Sequence, residues 1–187
     1  RGWFQSSLLV GLDDRGVALK VTTNRHVTTL SCTCLSEDFD DVLAVLADVV
    51  RNPVFPPGEI EKRRAETMAA IRQDQDNPGV RASEALQALL YRDGHPYGPP
   101  AKGRLATVER FTREDLIGFY RRYYTADHAV VGVMGNVSRG EAEVIADQLT
   151  AELPRASAPA VIPEVRPLER AETRVITHPA SQSHVLI

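Results

Sequence analysis

Five histidines and two cysteines are the residues of this chain whose types lend themselves to metal binding or nucleophilic chemistry. His26, His95, His128, His178 and His184 are scattered. None is paired four residues from another on a helix, so neither H-E-x-x-H nor H-x-x-E-H, the two spacings that aim a pair of imidazoles at one zinc ion, lies within these residues. They are expected on the surface or in loops. Cys32 and Cys34 alternate with Leu30 onto one face of a strand. Two thiols fall short of the four ligands of a structural zinc site, and neighbours at i, i+2 rarely reach disulfide geometry. They are expected as small side chains on a core face. No glycine-rich loop follows a strand and opens a helix, so there is no phosphate cradle. No G-x-S-x-G elbow is present, and no cysteine has a histidine beside it in sequence. His95-Pro96-Tyr97-Gly98 fits a rigid turn between helices, with Tyr97 packed down, better than a substrate-binding histidine. Trp3 and Phe4 are expected as core or edge residues. Tyr120, Tyr123 and Tyr124 are expected to pack along a helix face, with one hydroxyl reaching a cavity.

The bulk properties narrow the classes further. The 187 residues are 43% hydrophobic and 25% charged, an ordinary globular balance with room for one domain and part of a second. A net charge of -3 gives no electrostatic footprint for nucleic acid or an anionic membrane. No apolar run approaches the roughly 20 residues that span a bilayer. Arg1-Gly2-Trp3-Phe4-Gln5 has no signal-peptide h-region. A start without Met and an end on Val185-Leu186-Ile187 suit a piece of something longer.

The elements that position these residues follow from periodicity. Phe4 to Asp14 has helical spacing of Phe4, Leu8, Leu9 and Leu12. Val17 to Thr22 alternates with period two, Asn24-Arg25-His26 makes a turn, and the β-branched Val27 to Leu35 returns as the hairpin partner. Ser36-Glu37-Asp38 opens an amphipathic helix carrying Phe39, Val42, Leu43, Leu46, Val49 and Val50, which stops at Asn52-Pro53. A charged helix from Pro56 to Pro78 comes next, followed by another from Val80 to Tyr91. Gly94 to Gly103 is a loop. Thr112-Arg113-Glu114-Asp115 opens a helix with Leu116, Phe119, Tyr120 and Tyr123. Ala129 to Gly135 is a short continuous apolar run and predicts a buried central strand. Ser138-Arg139-Gly140-Glu141 is a capping box for a helix through Leu149. Pro154 to Pro167 is Pro- and Ala-rich and reads as a linker. Thr173 to Thr177 and His184 to Ile187 predict two strands joined by a turn. Strands and helices are segregated, which points to an α+β fold: a mostly antiparallel sheet with helices packed on one face.

Taken in order, these segments resemble the insulinase/pitrilysin zinc peptidases, which include the mitochondrial processing peptidase subunits. The resemblance rests on Leu35-Ser36-Glu37-Asp38, Leu46-Ala47-Asp48-Val49-Val50-Arg51-Asn52-Pro53, Ile60-Glu61-Lys62-Arg63-Arg64 and Asp76-Asn77-Pro78. It continues through His95-Pro96-Tyr97-Gly98, Phe111-Thr112-Arg113-Glu114-Asp115-Leu116, Phe119-Tyr120 with Tyr123-Tyr124, and Val133-Met134-Gly135-Asn136-Val137. It covers roughly Gly16 to Leu153. In active members an inverted H-x-x-E-H and a glutamate on a later helix hold the metal. The resemblance places that helix on Pro57 to Asp76, its ligand on Ala70 and a supporting carboxylate on Arg63; the histidine motif would precede Arg1. Ala70 has no donor atom, and Arg63 brings a cation to a cation site. Glu66 lies one turn earlier, about 6 Å along the axis, too far for a bond of about 2 Å.

The resemblance therefore implies a non-catalytic, degenerate copy, with no catalytic and no metal-binding residue of its own. It would shape a chamber for unfolded peptide substrate and pair with an active peptidase half or subunit that carries the zinc. It implies a peptidase-like domain over 1–153, truncated at its N-terminus, a linker over 154–170, and the start of the following family domain over 171–187. The compartment is unknown, with the cytoplasm and the periplasm of a bacterium as the settings considered. Two other readings are an active zinc peptidase taking its third ligand from Glu66 or Glu84, and an assembly-only subunit such as those recruited to a respiratory complex.

Overall fold

Residues 16–92, 94–155, 161–179 and 181–187 are described by the structure, a computed structural model. The helix expected over Phe4 to Asp14, with Trp3, lies outside the described residues. The chain divides into two compact units, Arg1–Phe55 with Glu114–Pro159 and Pro56–Arg113 with Ala160–Ile187.

In the first unit, β1 (Ala18–Thr23) and β2 (Thr28–Thr33) pair antiparallel from Ala18 opposite Thr33 to Thr23 opposite Thr28. Asn24 sets the turn: its side-chain oxygen accepts from the His26 and Val27 amides at 2.8 and 2.9 Å. The expected hairpin is present. The period-two pattern turns Leu19 and its cross-strand partner Cys32 toward Val17 and Val42, with Cys34, Val45 and Leu46 against the same cluster. Both cysteines are free and half-buried. Burial, and then the neighbouring Cys34, push the Cys32 thiol above its ordinary value, so it favours the neutral form that packs as a small apolar group.

A 3₁₀ turn at Ser36–Asp38 leads into α1 (Phe39–Arg51), with acids in its first turn and Arg51 in its last, as the macrodipole favours. Val42 and Leu43 are its buried residues. It ends where expected: the Asn52 amide bonds the Asp48 carbonyl at 2.8 Å, and Pro53 prevents continuation.

In the second unit, α2 (Pro57–Gln75) begins with proline at its first position and turns Ile71 into the interior. Asp76-Asn77-Pro78 does more than end it. The Asn77 side chain accepts from the Gly79 and Val80 amides, so the helix α3 (Pro78–Leu90) starts two residues before the expected Val80. A loop over 94–104 follows, then the four-residue helix α4 (Leu105–Val108), which lacks a periodic signature in the sequence.

The chain then contributes to the first unit again. Helix α5 (Arg113–Tyr123) carries Tyr120, whose hydroxyl faces the Val50 and Arg51 carbonyls at 2.7 and 2.9 Å. It shares its one proton between two carbonyls that the C-terminal end of α1 leaves unpaired, so the expected tyrosine hydroxyl in a cavity is replaced by a helix cap. Helix α6 (Arg139–Thr150) opens on the anticipated capping box, Ser138 with Glu141, and packs against α1.

Two expectations fail. Ala129 to Gly135 forms no strand. Val130 and Met134 are 98% and 99% exposed, while Val131 and Val133 are half-buried. A strand needs a ladder partner, and among the described residues the sheet has only β1 and β2. Thr173 to Thr177 and His184 to Ile187 likewise form no strands, and Val175 and Val185 stand open to solvent. Alternation alone marks what a segment can pair with, not whether a partner is beside it.

Candidate functional site

The face of α2 that the sequence singles out is built from Arg63, Glu66 and Ala70. Spacings of three, four and seven residues place all three on one side of the helix. Arg63 donates to a Glu66 carboxylate oxygen at 3.1 Å, and their side chains are 79% and 49% exposed. The ion pair is thus a solvated surface contact between successive turns. Ala70 is half-buried and ends in a methyl group. Glu84, the other carboxylate considered, is on α3.

These residues do not fit zinc. Ala70 supplies no donor, the Glu66 carboxylate is bonded to a guanidinium, and that guanidinium would repel a divalent cation. Among the described residues, no group of three or more His, Cys, Asp or Glu lies close enough together to hold a metal ion.

The histidines take different places. His26 is in the β1–β2 turn and His128 ends a 3₁₀ turn. His95 is buried, and both ring nitrogens are committed: Nδ1 accepts from the Tyr97 amide at 3.1 Å and Nε2 meets the Pro163 carbonyl at 3.0 Å. An accepting Nδ1 leaves the proton on Nε2, where it is donated to Pro163. Tyr91 and Tyr97 flank the ring at centroid distances of 5.1 and 5.0 Å. Gly98 closes this turn so tightly that a Cβ there would lie 2.4 Å from the Tyr91 carbonyl oxygen. The motif is the structural turn expected of it. His184 lies against Gly79 at the start of α3, and His178 has a buried Nδ1 without a hydrogen-bond partner among the described residues.

The neighbour of Arg63 is the residue that sequence reasoning passed over. Arg64 is 16% exposed and bonds the carbonyls of Val108 at 2.5 Å, Glu109 at 3.1 Å and Phe111 at 2.6 Å, with Glu61 held at 3.1 and 3.2 Å by the same guanidinium. It ties the end of α4 and the segment after it to α2. The available signal was its place in the inward stripe of α2, four residues after Ile60 and seven before Ile71.

Family comparisons bear on this arrangement. The model for insulinase (peptidase family M16) matches residues 3–99, and the model for the peptidase M16 inactive domain matches residues 110–187. The chain belongs to the insulinase, or M16, family. Similar proteins include an uncharacterized zinc protease of Rickettsia felis, 30% identical over 141 residues, covering 75% of this chain and 34% of that protein. A probable mitochondrial-processing peptidase subunit beta of Schizosaccharomyces pombe is 26% identical over 148 residues, covering 77% and 31%. Among solved structures, the peptidase M16 inactive domain from Pseudomonas fluorescens superposes with a TM-score of 0.82 at 27% identity, over 88% of this chain and 40% of that one. A protease from Helicobacter pylori shares the fold with a TM-score of 0.73 at 17% identity, over 88% and 39%. The chain spans about a third of the length of the curated relatives it matches. The α+β fold is that of M16 domains, and the similar proteins include ones named as zinc proteases. No helix among the described residues is long and apolar enough to cross a membrane.

Proposed function

We propose that this chain is a non-catalytic domain of an M16-type zinc metalloendopeptidase, which shapes the chamber for unfolded peptides and pairs with an active half or subunit. Zinc belongs to that partner half. The observation that carries the reading is Ala70 on α2, with Glu66 one turn before it in an ion pair with Arg63. A scaffold held by the Arg64 anchor and the His95 turn, with no metal donor at Ala70, supports a role in shape rather than chemistry. The same reading assigns residues 1–153 to the peptidase-like domain, 154–170 to a linker and 171–187 to the start of the next family domain.

The test is zinc content and peptide hydrolysis of the intact parent protein, unaltered and with Glu66→Gln or Glu84→Gln. Both substitutions are expected to leave zinc stoichiometry unchanged, and this chain alone is expected to hydrolyse no peptide. Loss of one zinc equivalent on either change, together with hydrolysis by this chain alone, would overturn the proposal. Cross-linking of an unfolded peptide to the assembled protein checks the chamber role; an absence of cross-links to this domain would leave it an assembly element only.

A further inference from the structure

The second unit contains a cleft of ≈ 350 Å³ lined by Ile71, Asp74 and Gln75 of α2, Glu84 of α3, and Pro100 with Lys102 to Leu105. A volume of this order falls at the small end of ligand pockets. Its polar groups divide in two. Asp74 and Lys102 neutralise each other at 2.7 Å, which pins the loop to α2. The Gly103 amide bonds the Pro100 carbonyl at 3.0 Å, and Gly103 has φ +82, a conformation that favours glycine, so the lip is a tight turn. Glu84 and Arg104 are the charges left over. Among the described residues, neither the Glu84 carboxylate nor the Arg104 guanidinium has an ion-pair partner. Among the described residues the cleft therefore presents an anion without a cation on its α3 wall, a cation without an anion on its loop wall, and Ile71, Pro100 and Leu105 as apolar lining.

We infer that this cleft is a binding site for a small zwitterion of dipeptide size, its ammonium group toward Glu84 and its carboxylate toward Arg104. A carboxylate meeting a guanidinium can form two parallel hydrogen bonds, which fixes one end of the ligand. An ammonium at the other end matches a single carboxylate, and an aliphatic body covers Ile71 and Leu105. A ligand with one charge only would leave Glu84 or Arg104 unpaired. The site does not use the Arg63–Glu66–Ala70 face, and it rests on the reading above in one respect, that Glu84 is not a zinc ligand.

The experiment is an amide NMR titration of the 187-residue chain with the free dipeptide Ala-Leu, repeated with N-acetyl-Ala-Leu and with Ala-Leu amide. Saturable shifts are expected at Ile71, Gly103 and Leu105 with the free dipeptide. Each blocked form is expected to bind about tenfold more weakly, in line with the loss of one charge-assisted contact. Glu84→Gln should remove the sensitivity to acetylation, and Arg104→Gln the sensitivity to amidation. Because the blocked peptides test the charges without altering the protein, a variant that fails to fold does not decide the result. Absence of saturable shifts, or equal affinity for free and blocked peptides, overturns the site. So does a thermal-stability cycle in which Glu84→Gln and Arg104→Gln each lower Tm but the double variant is no worse, since the two groups would then be paired with each other in solution.

Discussion

Arg63 and Arg64 are adjacent on one helix and share a side-chain type, yet they belong to two different regions. Arg64 is enclosed by the carbonyls of Val108, Glu109 and Phe111 and by Glu61. Arg63 stands in solvent with Glu66. A rotation of about 100° around the helix axis separates a residue that holds the fold from one paired in solvent. The contrast shows that α2 separates its roles: the contacts that hold α4 and the solvated Arg63–Glu66 pair lie on different sides, so change on one leaves the other intact.

The sharpest way to break this contrast is Arg64→Ala. It leaves three carbonyls without their charged donor, and about 3 kcal/mol of destabilisation is expected in urea unfolding. Arg64→Lys should recover only part of it, because an ammonium lacks the planar fork. A loss below about 1 kcal/mol would mean that Arg64 does not anchor α4. Next in size, Tyr120→Phe removes the hydroxyl from the end of α1 and should cost about 1.5 kcal/mol by the same measurement. Asn77→Ala removes the cap of α3 and should cost about 1 kcal/mol, with Asn77→Ser recovering most of it.

A smaller effect concerns Glu141. Hydrogen bonds from the Ser138 side chain and backbone hold its carboxyl below the ordinary value of 4.5. A lowered folded value contributes stability that is present above 4.5 and is lost as the pH falls through that lower value. The Tm gap between the parent and Ser138→Ala should therefore narrow on acidification below this range. At the end of the series, Arg63→Ala should change stability by less than about 0.5 kcal/mol, as exposed pairs do, and thermal unfolding reads it. A large loss there would erase the distinction between the two faces.

Local signals account for much of what the sequence made legible. The hairpin, the helices beginning at Phe39, Pro57 and Arg113, and the Ser138–Glu141 box all follow from caps, prolines and periodicity within a few residues. The place of Ala70 on α2 was equally legible, because the motifs on either side pin its position. Partners far along the chain were not. Arg64 meets residues 44 to 47 positions away, and Tyr120 meets carbonyls 69 and 70 positions away. Such contacts have no period. Ala129 to Gly135 shows the opposite failure, an apolar run with a strong local pattern and no ladder beside it among the described residues.

That run also carries a chemical reporter. The chain has two methionines, Met68 within α2 and Met134 on the unpaired run. Met68 is half-buried, whereas the Met134 thioether is fully open to solvent. Dilute peroxide should convert Met134 to its sulfoxide well before Met68, since access governs the rate. When a neighbouring strand or subunit covers the run, that oxidation should slow while Met68 is unaffected. One sulfur atom thus records, by mass, whether the sheet is open or complete.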